Sequence, residues 1–202
     1  MPNENNIKRK NLQFYAGIAG ILAPIISSIM IYLALKKAQW WFHWRYNWLS
    51  DLGVHAESEI YFNSSLIVSG LLMILFSIGV YQYLSENNIY KIGKATLFIG
   101  SISLMMIGIF PEDVYPAHVI ATIMFFSLVT FSIMTLGVGH VIERDILGII
   151  MVSSSFLSIL MWAIFWPGEY HYAWAGAIPE ATSVAFLSLS IIALGYKMIK
   201  SA

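Results

Sequence analysis

The chain has 202 residues, 58% of them hydrophobic and 11% charged, with eleven basic and eleven acidic side chains in balance. Soluble domains carry about 25% charged residues, and a chain of this size with so few charges cannot cover a water-facing surface, so its solvent is lipid. The balance leaves no basic face for nucleic acid, and the absence of cysteine excludes disulfides, thiolate metal sites and cysteine nucleophiles.

Along the chain, Lys8, Arg9 and Lys10 precede an apolar run over 14–35. That run is longer than the core of a signal peptide and no small-x-small site closes it, so it reads as a retained first span. A span needs about 20 apolar residues to cross about 30 Å of hydrocarbon. Five further stretches qualify: 60–84, 94–110, 117–139, 146–165 and 178–197. Each is apolar on all faces, interrupted mainly by Gly, Ser and Thr. A helix satisfies its own backbone in lipid, and the alternating ten-residue segments of a β-barrel are missing. The expected fold is all-α, one polytopic domain over 1–202 built as a bundle of six transmembrane helices.

In the first connection Trp40, Trp41, Trp44 and Trp48 recur at helical spacing with Arg45 and Asn47 between them. This predicts a short interfacial helix over Gln39–Leu49 lying on the outer leaflet. The following Ser50-Asp51-Leu52-Gly53 reads as a cap or turn in which Asp51 accepts backbone N–H groups. With the N-terminus inside, inner segments hold eight Lys and Arg and outer segments three, Lys36, Lys37 and Arg45. That bias places both termini in the cytoplasm and the protein in the cell membrane. All seven Trp then fall at outer ends, where indole is buried and its N–H stays wet.

The middles of the spans hold no Asp, Glu, Lys, Arg or His, which argues against a proton relay or an ion-coupled transporter. Ionisable groups gather at the outer ends: His43, His55, His118 and His171 with Asp51, Glu57, Glu59, Glu112, Asp113, Glu169 and Glu180. The stretches Phe110–His118 and Trp166–His171 share the order aromatic, Pro, acid, Tyr, His. Two chemistries fit this set. Imidazoles with a carboxylate suit a divalent metal such as Zn, held by His118, His171 and Asp113. Alternatively, Asp113 and His118, five residues apart, form an acid–base pair through a local hydrogen bond, supported by Asp51 and Glu180. The plain reading is that water-facing loops carry polar residues. Glu112 and Asp113 suit the start of the fourth helix through its dipole, and Glu180 after Pro179 is an ordinary helix start. No HExxH-like spacing tightens the metal case.

The motifs Asn47-Trp-Leu-Ser-Asp-Leu-Gly53, Phe62-Asn63 with Gly70, Gly108-Ile-Phe-Pro-Glu-Asp113 with His118, and Ile178-Pro179-Glu180 occur in that order. Together they resemble the prokaryotic membrane family catalogued as domain of unknown function 998, itself similar to the DRAM, Frag and Sfk group of six-helix proteins. The resemblance runs from about Phe14 to Met198. It implies a six-helix fold and an outer polar cluster of Asp51, Asp113, His118 and Glu180, and no particular chemistry. The family's sixth span usually has an acid followed by Arg, whereas Ala181 follows Glu180 here. The sequence leaves two functions in competition. One is action on, or binding of, a lipid headgroup or lipid-linked substrate at the outer interface, with membrane lipids as partners. The other is a non-catalytic small subunit or lipid-organising component of a complex with other membrane subunits.

Overall fold

The computed structural model describes residues 4–165 and 176–202. Six long helices account for nearly all of them: α1 (Glu4–Ala38), α2 (Glu59–Tyr83), α3 (Asn88–Ile109), α4 (Ala117–Ile142), α5 (Ile146–Phe165) and α6 (Ala177–Ser201). All six are long and apolar enough to cross a membrane, and no strand occurs among the described residues. The protein is therefore a multi-pass membrane protein of six helices.

The helices overrun the apolar stretches chiefly at the end that holds the two termini. There α1 begins at Glu4, whose carboxylate pairs with Lys8 one turn on at 2.7 Å. α3 begins six residues before the expected Lys94 because Asn87 caps it, accepting the Tyr90 N–H at 2.8 Å. α4 ends as Arg144 enters the left-handed region (φ 59°), and the Asp145 N–H returns to the His140 carbonyl at 2.9 Å. That turn folds Asp145 back against His140.

Each helix packs on the next along the chain, and α6 closes on α1. The six helices thus form a closed ring. Where α1 meets α6, a Cβ on Gly17 would stand 2.7 Å from the Gly195 carbonyl oxygen, and one on Gly195 would stand 2.7 Å from that of Gly17. The two backbones touch directly, a contact that small residues permit between helices in lipid. Inside the spans, several buried serines satisfy themselves on carbonyls of their own or a neighbouring helix. Ser154 and Ser155 bond to Ile150 and Met151 one turn earlier at 2.8 and 2.9 Å. Ser132 crosses to the Gly93 carbonyl at 2.7 Å.

The short helix of the first connection is a 3-10 helix over Leu49–Gly53, while 39–48 forms successive turns. Side chains explain the shift, because they compete for the backbone groups that a helix over Gln39–Leu49 would use. Asn47 Oδ1 accepts the His43 N–H at 2.9 Å. The Asp51 carboxylate accepts both the Trp48 N–H at 3.0 Å and the Asn47 amide at 2.6 Å. Trp40 and Trp44 remain exposed, and Trp41 stacks on His55 with ring centroids 3.8 Å apart.

Candidate functional site

Polar side chains collect at both ends of the ring, in different company. At the terminal end, Lys94 is buried and its ammonium reaches the carbonyls of Tyr81, Leu84 and Ser85 at 3.2–3.4 Å and Glu86 at 2.9 Å. It thereby caps the C-terminus of α2, where a cation meets the negative end of the helix dipole. The hydrogen bond from Lys94 holds the Glu86 carboxyl below its usual range. Across the same end, Asp145 lies 2.8 Å from His140 Nδ1 and pairs with Lys197. Burial pushes the Asp145 carboxyl up, but the Lys197 ammonium, the Leu147 N–H and His140 outweigh it, so it sits below its usual range. The Tyr90 hydroxyl donates to Glu143 at 2.8 Å.

The distal end, away from the termini, is built around the 3-10 helix. Gly53 lets α2 approach: Asn63 Nδ2 donates to the Gly53 carbonyl at 2.8 Å, and a Cβ there would collide with Asn63 Oδ1. Ser58 fixes the other side through its hydroxyl to the Leu52 carbonyl at 2.8 Å. Gly176, at the start of α6, lies against the Trp48 ring with no room for a Cβ. Glu180, one turn into α6, folds inward and accepts the Leu49 N–H at 2.7 Å. This bond joins the first connection to the last helix and satisfies a donor that opens the 3-10 turn.

Glu112, in the connection between α3 and α4, faces Asp51. Burial, and next the Asp51 carboxylate within hydrogen-bonding reach, push its carboxyl up to about 7, with the Ser50 hydroxyl pulling the other way. Two carboxylates this close share a proton more readily than they both ionise. His118, in the first turn of α4, is buried, and its Nδ1 stands 2.8 Å from the Phe110 carbonyl. A carbonyl only accepts, so Nδ1 bears the proton and Nε2 presents a lone pair.

Beneath this cluster runs a cavity of about 100 Å³ along the middle of the ring. Five helices line it, α5 being the exception. Its walls are almost wholly apolar, from Leu66 and Met73 on α2 to Leu187 and Ile191 on α6. Its ionisable groups, His118 and Glu180, reach it at the distal end beside Ser50, and the hydroxyls of Ser27, Ser69 and Ser188 line it deeper in the spans. Thr122 and Phe126 of α4 line this cavity on one side and a groove between α4 and α5 on the other.

The residues singled out in the sequence fall into three groups. Asp51, His118 and Glu180 come to one end of the ring, two of them at the mouth of the cavity. Asp113 does not join them: it is exposed and makes no hydrogen bond or ion pair among the described residues. The expected Asp113–His118 hydrogen bond is therefore not formed, because the Phe110 carbonyl, exposed where α3 stops before Pro111, takes the imidazole instead. His171 lies outside the described residues, as does the second of the two similar loop stretches. Among the described residues no group of three His, Asp or Glu side chains is gathered for a metal. Glu112 is the member that sequence reasoning passed over. Its neighbour Asp113 drew attention through its distance from His118, whereas the backbone after Pro111 turns the first acid inward and the second outward.

A family model described as "Protein of unknown function (DUF998)" matches residues 21–197. No curated protein and no solved structure matches the chain.

Proposed function

From the premise that the chain belongs to the DUF998 family, which brings a membrane fold and no assigned activity, we propose that the distal end of the ring binds the polar head of a membrane amphiphile. The observation that carries this is the central cavity: an apolar passage ending beneath a buried carboxylate and a buried imidazole. Apolar walls with a few convergent polar groups are the common form of a small-molecule site. An engineered cavity of about 150 Å³ accepts one benzene ring, so the space here suits the upper part of one hydrocarbon chain. Thr122 and Phe126 are the wall between this cavity and the α4–α5 groove, and the rest of the chain would leave by displacing them.

The basic-residue bias supports a cell-membrane protein with both termini cytoplasmic, which sets the headgroup site on the outer leaflet. Any acid–base chemistry there belongs to His118 Nε2 and the carboxyl groups of Glu180, Glu112 and Asp51, with Asp113 outside it. Asp51 acts through position, since two donors already hold its carboxylate.

Native mass spectrometry of the purified chain released from lipid nanodiscs tests the reading. One retained lipid per chain is expected in the wild type. Ser188→Phe, which projects a ring into the cavity, is expected to lose that lipid while the fold persists. A wild-type chain that retains no lipid overturns the proposal. Co-purification of such a lipid-free chain with larger membrane proteins favours the small-subunit reading instead.

A further inference from the structure

We infer that the head taken at the distal end is a protonated primary amine borne on an apolar chain. The inference rests on the amphiphile site proposed above and names its ligand chemistry. It follows from which polar atoms remain unpaired. Glu180 Oε2 is taken by the Leu49 N–H, and no donor reaches Oε1 among the described residues. His118 spends its proton on the Phe110 carbonyl, leaving Nε2 as an acceptor. Both side chains line the cavity and are 6% and 5% exposed. Glu112 Oε2 is buried without a partner. Each of these atoms can accept, and no charged donor lines the cavity among the described residues: its side-chain donors are the hydroxyls of Ser27, Ser50, Ser69, Thr122 and Ser188, and Ser69 spends its own on the Ala23 carbonyl at 3.0 Å.

Among the described residues no Lys or Arg lines the cavity, while Glu180 lines it with the carboxyl groups of Glu112 and Asp51 close behind. Burying such groups without a counter-charge is costly. A head whose terminal group is a phosphate or a carboxylate would add to the deficit of positive charge and find hydroxyls alone to receive it. A quaternary ammonium brings charge and no N–H. A primary ammonium brings charge and three N–H donors, and bonds from an ionised donor are the strong ones. The terminal end points the same way, because Asp145, half-buried there, has the Lys197 ammonium beside it.

Glu112 adds a signature. It faces Asp51 and Ser50 from the first connection and lies near Glu180 of α6, with no Lys or Arg among them. Its carboxyl, held up near 7 by burial and then by Asp51, is partly protonated at neutral pH and gives up that proton when an ammonium arrives. Amine binding therefore strengthens as pH rises from 6 to 8.

The test uses the full chain in nanodiscs made of equal parts phosphatidylethanolamine, phosphatidylglycerol and phosphatidylcholine with identical acyl chains. Bound lipid is identified by native mass spectrometry. Phosphatidylethanolamine is expected to be enriched on the order of tenfold over each of the others, the worth of one charge-assisted bond. Glu180→Gln keeps an acceptor for the Leu49 N–H, and Glu112→Gln keeps an acceptor for the Ser50 hydroxyl and offers Asp51 an N–H in place of the shared proton. Each is expected to return the bound composition to that of the disc. Free ethanolamine at millimolar concentration is expected not to displace the lipid, and equal competition by it overturns the requirement for an apolar chain. Retention of one lipid at bulk composition, or enrichment of phosphatidylglycerol, overturns the amine inference and leaves the amphiphile site standing. No lipid retained at all removes both.

Discussion

The two ends of the ring are made from the same residue types and finished in opposite ways. At the terminal end the half-buried Asp145 has Lys197 beside His140, and the exposed Glu86 and Glu143 meet Lys94 and Tyr90. At the distal end Asp51, Glu112 and Glu180 meet backbone N–H groups, an amide and one another. The first arrangement is complete as it stands and ties helices together. The second lacks positive charge, and its open valences face a cavity. Charge that a fold balances internally reads as structure, and charge left unbalanced at a cavity mouth reads as a place for something else.

The largest effect expected from breaking this contrast lies at the balanced end. Lys94→Ala leaves three carbonyls at the end of α2 and the Glu86 carboxylate without their cation, a loss of about 3 kcal/mol of stability. Thermal unfolding in mild detergent should show it, with lipid capture at the far end unchanged in the protein that remains folded.

A smaller effect, opposite in sign at the two ends, comes from pH. Asp145 has a depressed carboxyl, so its contribution to stability is present above the ordinary carboxylate range and is lost as pH falls through its lowered value. Glu112 is raised to about 7, so its contribution is full below the ordinary value of 4.5 and is lost as pH rises through about 7. Amide hydrogen exchange should therefore show the α4–α5 turn loosening in acid and the Leu49–Gly53 segment loosening above neutrality. Glu112→Gln should abolish the second response and spare the first. The smallest effect belongs to Asp113→Asn, expected to change stability by less than about 0.5 kcal/mol, as surface substitutions do, and to leave bound lipid unaltered. A large loss there would place Asp113 back in the site.

The six spans were legible in the sequence because lipid imposes one solution on backbone polarity, and uniform apolar runs leave little to interpret. The gathering of ionisable groups at span ends was legible for the same reason. Which of them meet was not. His118 was visible as a candidate, but its partner is a backbone carbonyl freed by the helix stop at Pro111, and sequence does not advertise carbonyls. Glu180 looked like an ordinary acid at a helix start, since its contact with Leu49 spans 131 residues. The Trp spacing before Leu49 suggested a helix that side-chain bonds from Asn47 and Asp51 pre-empt. Lys94 opens the apolar stretch expected over 94–110 and is a buried cap, because α3 begins a turn and a half earlier than that stretch.

Ring closure through Gly17 and Gly195 bears on the size of the space at its centre. No helix runs up the middle as a pillar, so the width of the passage is fixed only by how closely neighbouring staves are drawn together, as in a barrel bound by its hoops. A bulkier side chain at any one seam, however far from the distal carboxylates, widens or skews the bore for the whole circle. Residues that never touch a guest molecule thus share in deciding how thick a chain can be admitted.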